Sequence, residues 1–162
     1  GGMLHVLFHA TIKVCLFLVA GSIIHNTDKT NVDEFDGIGK AMPKTLWAFT
    51  FAALALIGIP PASGFVSKWY LALGALDSGM TVYSWLTPVV LLISALLTAG
   101  YLLPVTVRGF FPGKDAVLPP RNDEGGWGMV APIWILAALT LLLGLCAGSM
   151  LGAMESLTAS LF

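Results

Sequence analysis

Charged residues are scarce in this chain of 162 residues, which has 8 lysines and arginines and 9 aspartates and glutamates. A soluble domain carries about 25% charged residues, whereas this chain carries 10%. It therefore lacks the polar surface that would cover a globule in water. The net charge of −1 leaves no basic face, so we expect no nucleic-acid partner.

Cysteine is also rare, and no group of residues resembles a reaction centre. Cys15 and Cys146 lie in separate apolar runs, without a CxxC pair or cysteine–histidine ligand spacing. The sequence has no glycine-rich phosphate loop, no nucleophile elbow and no metal-ligand cluster. It therefore predicts no metal site and no cofactor.

Apolar residues, in contrast, make up 57% of the chain, and the mean hydropathy is +0.87. A helix that spans a bilayer needs roughly 20 largely apolar residues, and four regions approach this length. We predict an all-α membrane protein with about four transmembrane segments in a single membrane domain, residues 1–162. The predicted helices lie at about residues 3–24, 45–58 continuing as 64–77, 86–107 and 129–153.

The second segment contains a predicted helix break, formed by Gly58, Pro60, Pro61 and Gly64. The two prolines remove backbone donors, and the flanking glycines permit unusual backbone dihedrals. Neither half alone reaches the roughly 20 residues that a crossing needs. The segment is therefore predicted to cross the membrane once, as a discontinuous helix.

The positions of the basic residues support one crossing over a hairpin. Six of the eight fall in two loops, residues 26–44 and 108–127: Lys29, Lys40, Lys44, Arg108, Lys114 and Arg121. A single broken crossing places both loops on the same side, whereas a hairpin places them on opposite sides. The positive-inside rule therefore favours a broken helix, with both loops on the cytoplasmic side of a multi-pass protein of the cell (inner) membrane.

The other two basic residues, Lys13 and Lys68, lie inside apolar segments. A lysine at the centre of a membrane helix costs about 2.5 to 3.5 kcal/mol on insertion scales. His5, His9 and Lys13 follow one another at intervals of four residues, which places them on one stripe of a helix. This stripe is a candidate proton wire. The alternative is that Lys13 snorkels to the headgroups, although snorkelling is poor near a helix centre.

Lys68 lies one turn into the second half of the broken helix. The free N–H groups at a helix start carry a partial positive charge, which destabilises a nearby ammonium and favours release of its proton. Transporters use broken helices as ion sites. In the alternative interpretation, the prolines only kink the helix and Lys68 reaches an interface. His25, at the cytoplasmic end of the first helix, is a candidate proton entry point or a solvated helix end.

Three stretches of the sequence resemble a known family. They are residues 5–25 (HVLFHATIKVCLFLVAGSIIH), 36–43 (DGIGKAMP) and 58–68 (GIPPASGFVSK). Together they resemble the antiporter-like membrane subunits of respiratory complex I, of membrane-bound hydrogenases and of multisubunit cation/proton antiporters. The histidine ladder, both lysines, the Gly-Ile-Gly loop and the broken helix come in the order typical of that family.

The resemblance implies a specific function and specific partners. Members of the family have two inverted repeats of five helices, and this chain is similar to the C-terminal portion. Lys13 is similar to the central-axis lysine, Lys68 to the lysine of the broken helix, and His5 and His9 to the relay histidines. The implied function is translocation of H⁺, or of Na⁺, by one subunit of an NADH:quinone oxidoreductase-type pump or of a cation/proton antiporter. That subunit has no redox chemistry of its own.

The chain begins with two glycines, without an initiator methionine or a signal peptide, and we expect it to be a fragment or one product of a split subunit. The expected partners are other membrane subunits, the N-terminal repeat and the lipid bilayer. The alternative function is a non-conducting structural or assembly subunit with snorkelling lysines. Lysine tips that point to lipid, and histidines that face away from the bundle, would favour this alternative.

Overall fold

A computed structural model describes residues 2–79, 81–113 and 124–152, and within these ranges the chain is helical with no β-strand. The helices are α1 (Gly2–Thr27), α2 (Ile38–Ala41), α3 (Pro43–Ile57), α4 (Ser63–Leu76), α5 (Thr81–Phe110) and α6 (Trp127–Leu145), with a 3₁₀ turn at Val32–Glu34.

Three of the described helices are long and apolar enough to cross a membrane: Gly2–Thr27, Val82–Phe110 and Trp127–Leu145. Helices α3 and α4 have 15 and 14 residues, so neither reaches the roughly 20 residues of a full crossing. The chain is an integral membrane protein of the all-α class, as predicted. Whether α3 and α4 form one crossing depends on how they pack against the other helices.

Helix α1 packs against three other helices through one face. One face of it is buried, at steps of three or four residues that match the helical repeat: Leu4, Phe8, Ile12, Cys15, Val19, Ser22 and Ile23. Helices α3, α4 and α6 all contact α1. Their positions along this face show how the chain runs.

Helices α3 and α4 follow each other along α1 in one direction. Leu46 and Ala52 of α3 share an apolar cluster with Val19 of α1. Further along, Ala55, Leu56 and Ala62 surround Ile12 at the middle of α1. Val66 and Tyr70 of α4 then pack with Leu4 and Phe8 near its start. The chain from 43 to 76 therefore passes α1 once, antiparallel to it, as the discontinuous helix that was predicted and not as a hairpin.

The break lies between Ile57 and Ser63. Gly58 caps α3 in a left-handed conformation (φ 99°), and its N–H donates to the Leu54 carbonyl. Glycine takes this conformation without a side-chain penalty, which is why it is common at this position. Pro60 and Pro61 lie in the connection that follows, where neither has to supply a helical N–H donor.

Gly64 lies on the α4 side of the break. It is the second residue of that helix. A Cβ atom at Gly64 would collide with the carbonyl oxygen of Ala55, a backbone atom of α3. Gly64 is therefore needed for the close approach of α3 and α4, whereas unusual dihedrals are needed at Gly58.

The loop before α3 and the described ends of the 108–127 loop meet at one end of the bundle. Arg108, near the end of α5, donates from Nε to Asp36 Oδ1 at 2.7 Å and from Nη1 to Asp33 Oδ1 at 3.0 Å. The N–H of Gly37 donates to the Arg108 carbonyl at 3.1 Å. Loop residues before α3 are thus tied to the end of α5. Lys114 and Arg121, which the prediction also places at this end, lie outside the described residues.

A buried carboxylate holds the start of α6 to the start of α3. Glu124 is 4% exposed and accepts hydrogen bonds from the N–H of Lys44 (3.1 Å), the N–H of Thr45 (2.8 Å) and the hydroxyl of Thr45 (2.9 Å). An anion at a helix start meets free N–H groups and a favourable dipole. Glu124 falls in a loop predicted only to be cytoplasmic, so its structural role is a finding of the tertiary structure.

Candidate functional site

His5 is hydrogen-bonded to the second half of the broken helix. Its Nδ1 lies 3.0 Å from the Ser67 hydroxyl, and Ser67 is fully buried. His5 and His9 are both half-buried, with ring centroids 5.5 Å apart. The two histidines therefore lie on the side of α1 that faces α4, one helical turn from each other.

Lys68 reaches back across the break to the end of α3. Its Nζ donates to the carbonyls of Leu56 and Ile57, both at 2.9 Å. The last carbonyls of a helix lack intrahelical partners and carry a partial negative charge, so they stabilise the ammonium. The sequence predicts that Lys68 is influenced by the positive start of α4. The structure shows that the contacts of the amine are with the negative end of α3.

The absence of a side chain at Gly58 allows Lys68 to approach the end of α3 closely. A Cβ atom at Gly58 would lie 3.3 Å from Cδ and 3.5 Å from Nζ of Lys68. The lysine side chain therefore folds directly over the residue that ends α3. Lys68 also lines a cavity of about 300 Å³, together with Phe65 and Trp69 of α4 and Pro88 of α5.

Electrostatic interactions link each of the two histidines to neighbouring members of the predicted pathway. His9 interacts electrostatically with Lys13 and Lys68, and His5 interacts with His9 and Lys68. The fold thus brings residues of α1 and α4 into one cluster of ionisable groups around the break. We refer to His5, His9, Lys13 and Lys68 as the lysine–histidine cluster.

Lys13 occupies the open side of this cluster. Its side chain is exposed on the surface of the chain and lines a cavity of about 280 Å³ with Leu56, Tyr101 and Leu102. Leu56 connects the two lysines, because its side chain lines the Lys13 cavity and its carbonyl accepts from Lys68 Nζ. One lysine is therefore held inside the break and the other faces outward.

His25 lies apart from the cluster. It is exposed in the last turn of α1, twelve residues from Lys13, a distance of about 18 Å along a helix. It belongs to the end of the bundle where the basic loops meet. Within the described part of the chain, histidine, cysteine and acidic residues form no group of three that could hold a metal ion.

Sequence reasoning missed Ser67, although it lies next to Lys68. A serine within an apolar helix is ordinarily interpreted as a packing residue, since small polar residues are common where membrane helices pack. Its partner is 62 residues away, so no local pattern identifies it. A signal was present in the spacing, because Ser63 and Ser67 are four residues apart and share a helix face.

These features define a class of protein: an all-α membrane protein whose discontinuous helix holds a lysine between its two halves, beside a histidine-bearing helix. A family model described as NADH:quinone oxidoreductase/Mrp antiporter, transmembrane, matches residues 1–98. The match covers more than half of the chain. The chain belongs to this family.

Relatives of known type support the same assignment. The chain is 40% identical over 156 residues to NADH-quinone oxidoreductase subunit N of Desulforudis audaxviator (strain MP104C), covering 90% of this chain and 30% of that protein. It is 32% identical over 145 residues to a Na(+)/H(+) antiporter subunit of Bacillus subtilis (strain 168), covering 90% of this chain and 28% of that protein.

A solved structure has the same fold. A chain in the structure of the Mrp complex from Dietzia sp. DQ12-45-1b superimposes with a TM-score of 0.67 at 28% sequence identity. The match covers 93% of this chain and 35% of that one. The chain is related to antiporter-like membrane subunits of the complex I and Mrp types, and it spans about a third of the length of these relatives.

Proposed function

We propose that this chain is the part of an antiporter-like subunit in which protons pass between the helix α1 histidines and the broken helix. The observation that carries the proposal is that His5 of α1 is hydrogen-bonded to Ser67 of α4, next to Lys68, whose amine bonds across the break to the end of α3. Histidine exchanges protons near neutral pH, and ionisable residues inside a membrane commonly line an ion path. The translocated ion is H⁺ or, in the alternative form, Na⁺.

The geometry suggests how the broken helix serves this function. The ammonium of Lys68 is held by two carbonyls that have no partner within α3. When Lys68 gives up its proton, that attraction is lost and the side chain is free to leave the break. A change of protonation is thereby coupled to the position of one side chain, which is the kind of two-state element a gated path needs.

The exposed position of Lys13 has an explanation in the length of the relatives. The chain covers 30% of the Desulforudis oxidoreductase subunit and 28% of the Bacillus antiporter subunit, so most of a complete relative lies outside the matched region. We infer that the N-terminal repeat covers Lys13 and encloses the Lys13 cavity. Other membrane subunits of the same complex and the lipid bilayer are the remaining partners.

Proton transport by a Lys13→Ala variant tests this function. In energised membrane vesicles that hold the assembled complex, we expect the rate of dye-detected proton transport to fall about a hundredfold, because a positioned proton carrier is lost. Insertion is expected to be normal, since the change makes the helix more apolar. Lys40→Ala is the matched control, because Lys40 is exposed in α2, outside the predicted crossings, and should leave transport unchanged.

The same experiment decides the alternative function. A non-conducting assembly subunit is favoured by one observation, the exposure of Lys13, which also fits a lysine that snorkels to the headgroups. Under that alternative, Lys13→Ala and Lys40→Ala transport protons at the same rate as the parent. Equal rates for all three would therefore remove Lys13 from the path.

The orientation of the chain is a further proposal, with the loops 26–44 and 108–127 in the cytoplasm. We expect cysteines at Lys40 and Gly113 to be labelled from the cytoplasmic side, and a cysteine at Asp77 from the opposite side. All three positions are exposed, and Gly113 has open space for a side chain. The exposed Cys146 is first replaced by serine. Labelling of positions 40 and 113 from opposite sides would contradict the orientation.

A further inference from the structure

Two serines lie on the inner face of α4 beside the lysine–histidine cluster. Ser63 and Ser67 are both fully buried, and their spacing of four residues places their Cβ atoms about 5–6 Å apart on one face. Neither belongs to the set of residues that the family resemblance assigned. The hydrogen bonds of these two side chains suggest a role for each.

The hydroxyl of Ser67 has two hydrogen-bond partners, Gly64 and His5. Its hydroxyl donates to the Gly64 carbonyl at 3.2 Å, so its only proton is used there. While that bond is made, the contact with His5 Nδ1 at 3.0 Å is one in which an Nδ1–H donates to the Ser67 oxygen, as it also does in the protonated imidazole. In the neutral tautomer that carries its proton on Nδ1, the other nitrogen, Nε2, is the acceptor. The imidazole is thereby set to receive a proton at Nε2 and to present one to Ser67.

The side chain of Ser63 differs from that of Ser67 in its hydrogen bonding. In the described part of the chain, its Oγ is the one buried side-chain polar atom that has no hydrogen-bond partner. Buried hydroxyls in folded proteins are nearly always satisfied, if not by protein then by an internal water. Ser63 begins α4, where the first N–H groups of the helix also need partners. An internal water is therefore the partner expected for Ser63 Oγ.

We propose that Ser67 is a proton-relay residue between His5 and the break, and that Ser63 holds the water that receives the proton there. This inference rests on the proposed function. In this relay, one water lies between the two hydroxyls. The relay adds Ser67 and Ser63 to the lysine–histidine cluster. It gives the proton a route along α4 to the break.

The transfer is balanced within the relay. The N–H bond at His5 Nδ1 breaks as a new O–H bond forms at Ser67 Oγ. The original Ser67 hydroxyl turns from the Gly64 carbonyl and passes its proton to the water oxygen. One N–H bond is lost and one O–H bond of water is gained, while Ser67 ends as a neutral hydroxyl. The positive charge moves from the imidazolium to the water, and no oxidant or reductant takes part.

Two serine variants test the relay in vesicles that hold the assembled complex. We expect Ser67→Ala to slow proton transport by about a hundredfold, the lower end of what a positioned proton-transfer group contributes. Ser67→Thr restores most of the rate, because it returns a hydroxyl. Ser63→Ala slows transport by a smaller factor, since a second water can replace part of the hydroxyl function.

The controls separate the relay from general packing. Thr106→Val also removes a buried hydroxyl at nearly constant volume, and that hydroxyl donates only to Leu102 one turn away. It should leave transport unchanged. If Ser67→Ala does not assemble, Ser63→Ala still decides the question, because its Oγ has no bond within the described chain to lose.

Transport by the serine variants, compared with transport by a Lys68 variant, separates failure of the relay from failure of the proposed function. Full transport by Ser67→Ala or by Ser63→Ala, together with loss of transport in a Lys68 variant, overturns the relay and leaves the proposed function in place. Full transport by the serine variants and by the Lys68 variant overturns both. A high-resolution structure of the complex gives an independent readout, in which a water within hydrogen-bond distance of Ser63 Oγ is expected and a dry site contradicts the proposal.

Discussion

Replacing Lys68 by arginine is expected to abolish proton transport while the complex still assembles. A guanidinium remains protonated at any pH the assay reaches and still offers donors to the carbonyls of Leu56 and Ile57. The variant therefore keeps the charge at the end of α3 but has no proton to release. We expect a loss of at least about a hundredfold in transport rate, as for removal of a positioned proton-transfer group.

The comparison with Lys68→Ala separates structure from chemistry. Alanine leaves two carbonyls at the break without the donor they have now. A buried acceptor without a partner costs about 1–3 kcal/mol, so this variant should lower both the amount of complex and its transport. Arginine should lower transport alone.

A matched substitution checks that the exchange of lysine for arginine is harmless elsewhere. Lys44 lies at the other end of α3, with its Nζ 5.1 Å from the centre of the Trp127 ring. An arginine there keeps the cation–π contact, so Lys44→Arg should transport protons at the parent rate. Transport near the parent rate in Lys68→Arg as well would show that Lys68 does not have to lose its proton.

Replacing Gly64 by alanine should destabilise the protein more than the same change at Gly74, the other glycine of α4. The new Cβ would collide with the carbonyl oxygen of Ala55 and would lie 3.0 Å from its carbonyl carbon. Backbone atoms cannot rotate away, so the two half-helices must separate. Overpacking of this kind costs about 1–3 kcal/mol and sometimes more, a large share of a total stability of about 5–15 kcal/mol.

Gly74 is the control for this substitution. A Cβ atom at Gly74 has open space around it, and alanine is favoured over glycine in a helix interior by about 1 kcal/mol. Thermal unfolding of the assembled complex should therefore occur at a lower temperature for Gly64→Ala, but at an unchanged or higher temperature for Gly74→Ala. Equal unfolding temperatures would mean that α3 and α4 are not tightly packed at this point.

The Gly64 variant should also affect transport in a predictable way. Separation of α3 from α4 moves the carbonyls of Leu56 and Ile57 away from Lys68, which is anchored on α4. Complex that survives assembly should then transport slowly, with a defect that resembles that of Lys68→Ala. The Gly64 substitution thus tests the packing of α3 against α4, and the Lys68 substitution independently tests the amine.

Much of the fold follows from local features of the sequence. Apolar runs of a given length predict spanning helices, because a bilayer has a fixed thickness. The break at Gly58, Pro60 and Pro61 follows from backbone chemistry that each of these residues carries by itself. The position of basic loops on one side of a single crossing is predicted from charge alone, and the packing of α3 and α4 along α1 agrees with a single crossing.

Lys13 and Lys68 are also evident from the sequence, because a charge in an apolar run is costly wherever the fold places it. Only the tertiary structure decided what these groups contact. Lys68 bonds to residues eleven and twelve positions earlier, on the other half-helix. The sequence predicts a lysine near the start of α4 but not that its amine turns to the end of α3.

The remaining contacts join residues far apart in the chain, and no helical period encodes such pairs. Ser67 meets His5 across 62 positions, and Glu124 meets Thr45 across 79. The sequence identifies Gly64 as part of the helix break. It does not show that a glycine is required there because the backbone of Ala55 lies so close once the half-helices pack. Periodicity reports which residues share a face of one helix. Which faces meet, and at what distance, is decided by close packing in three dimensions.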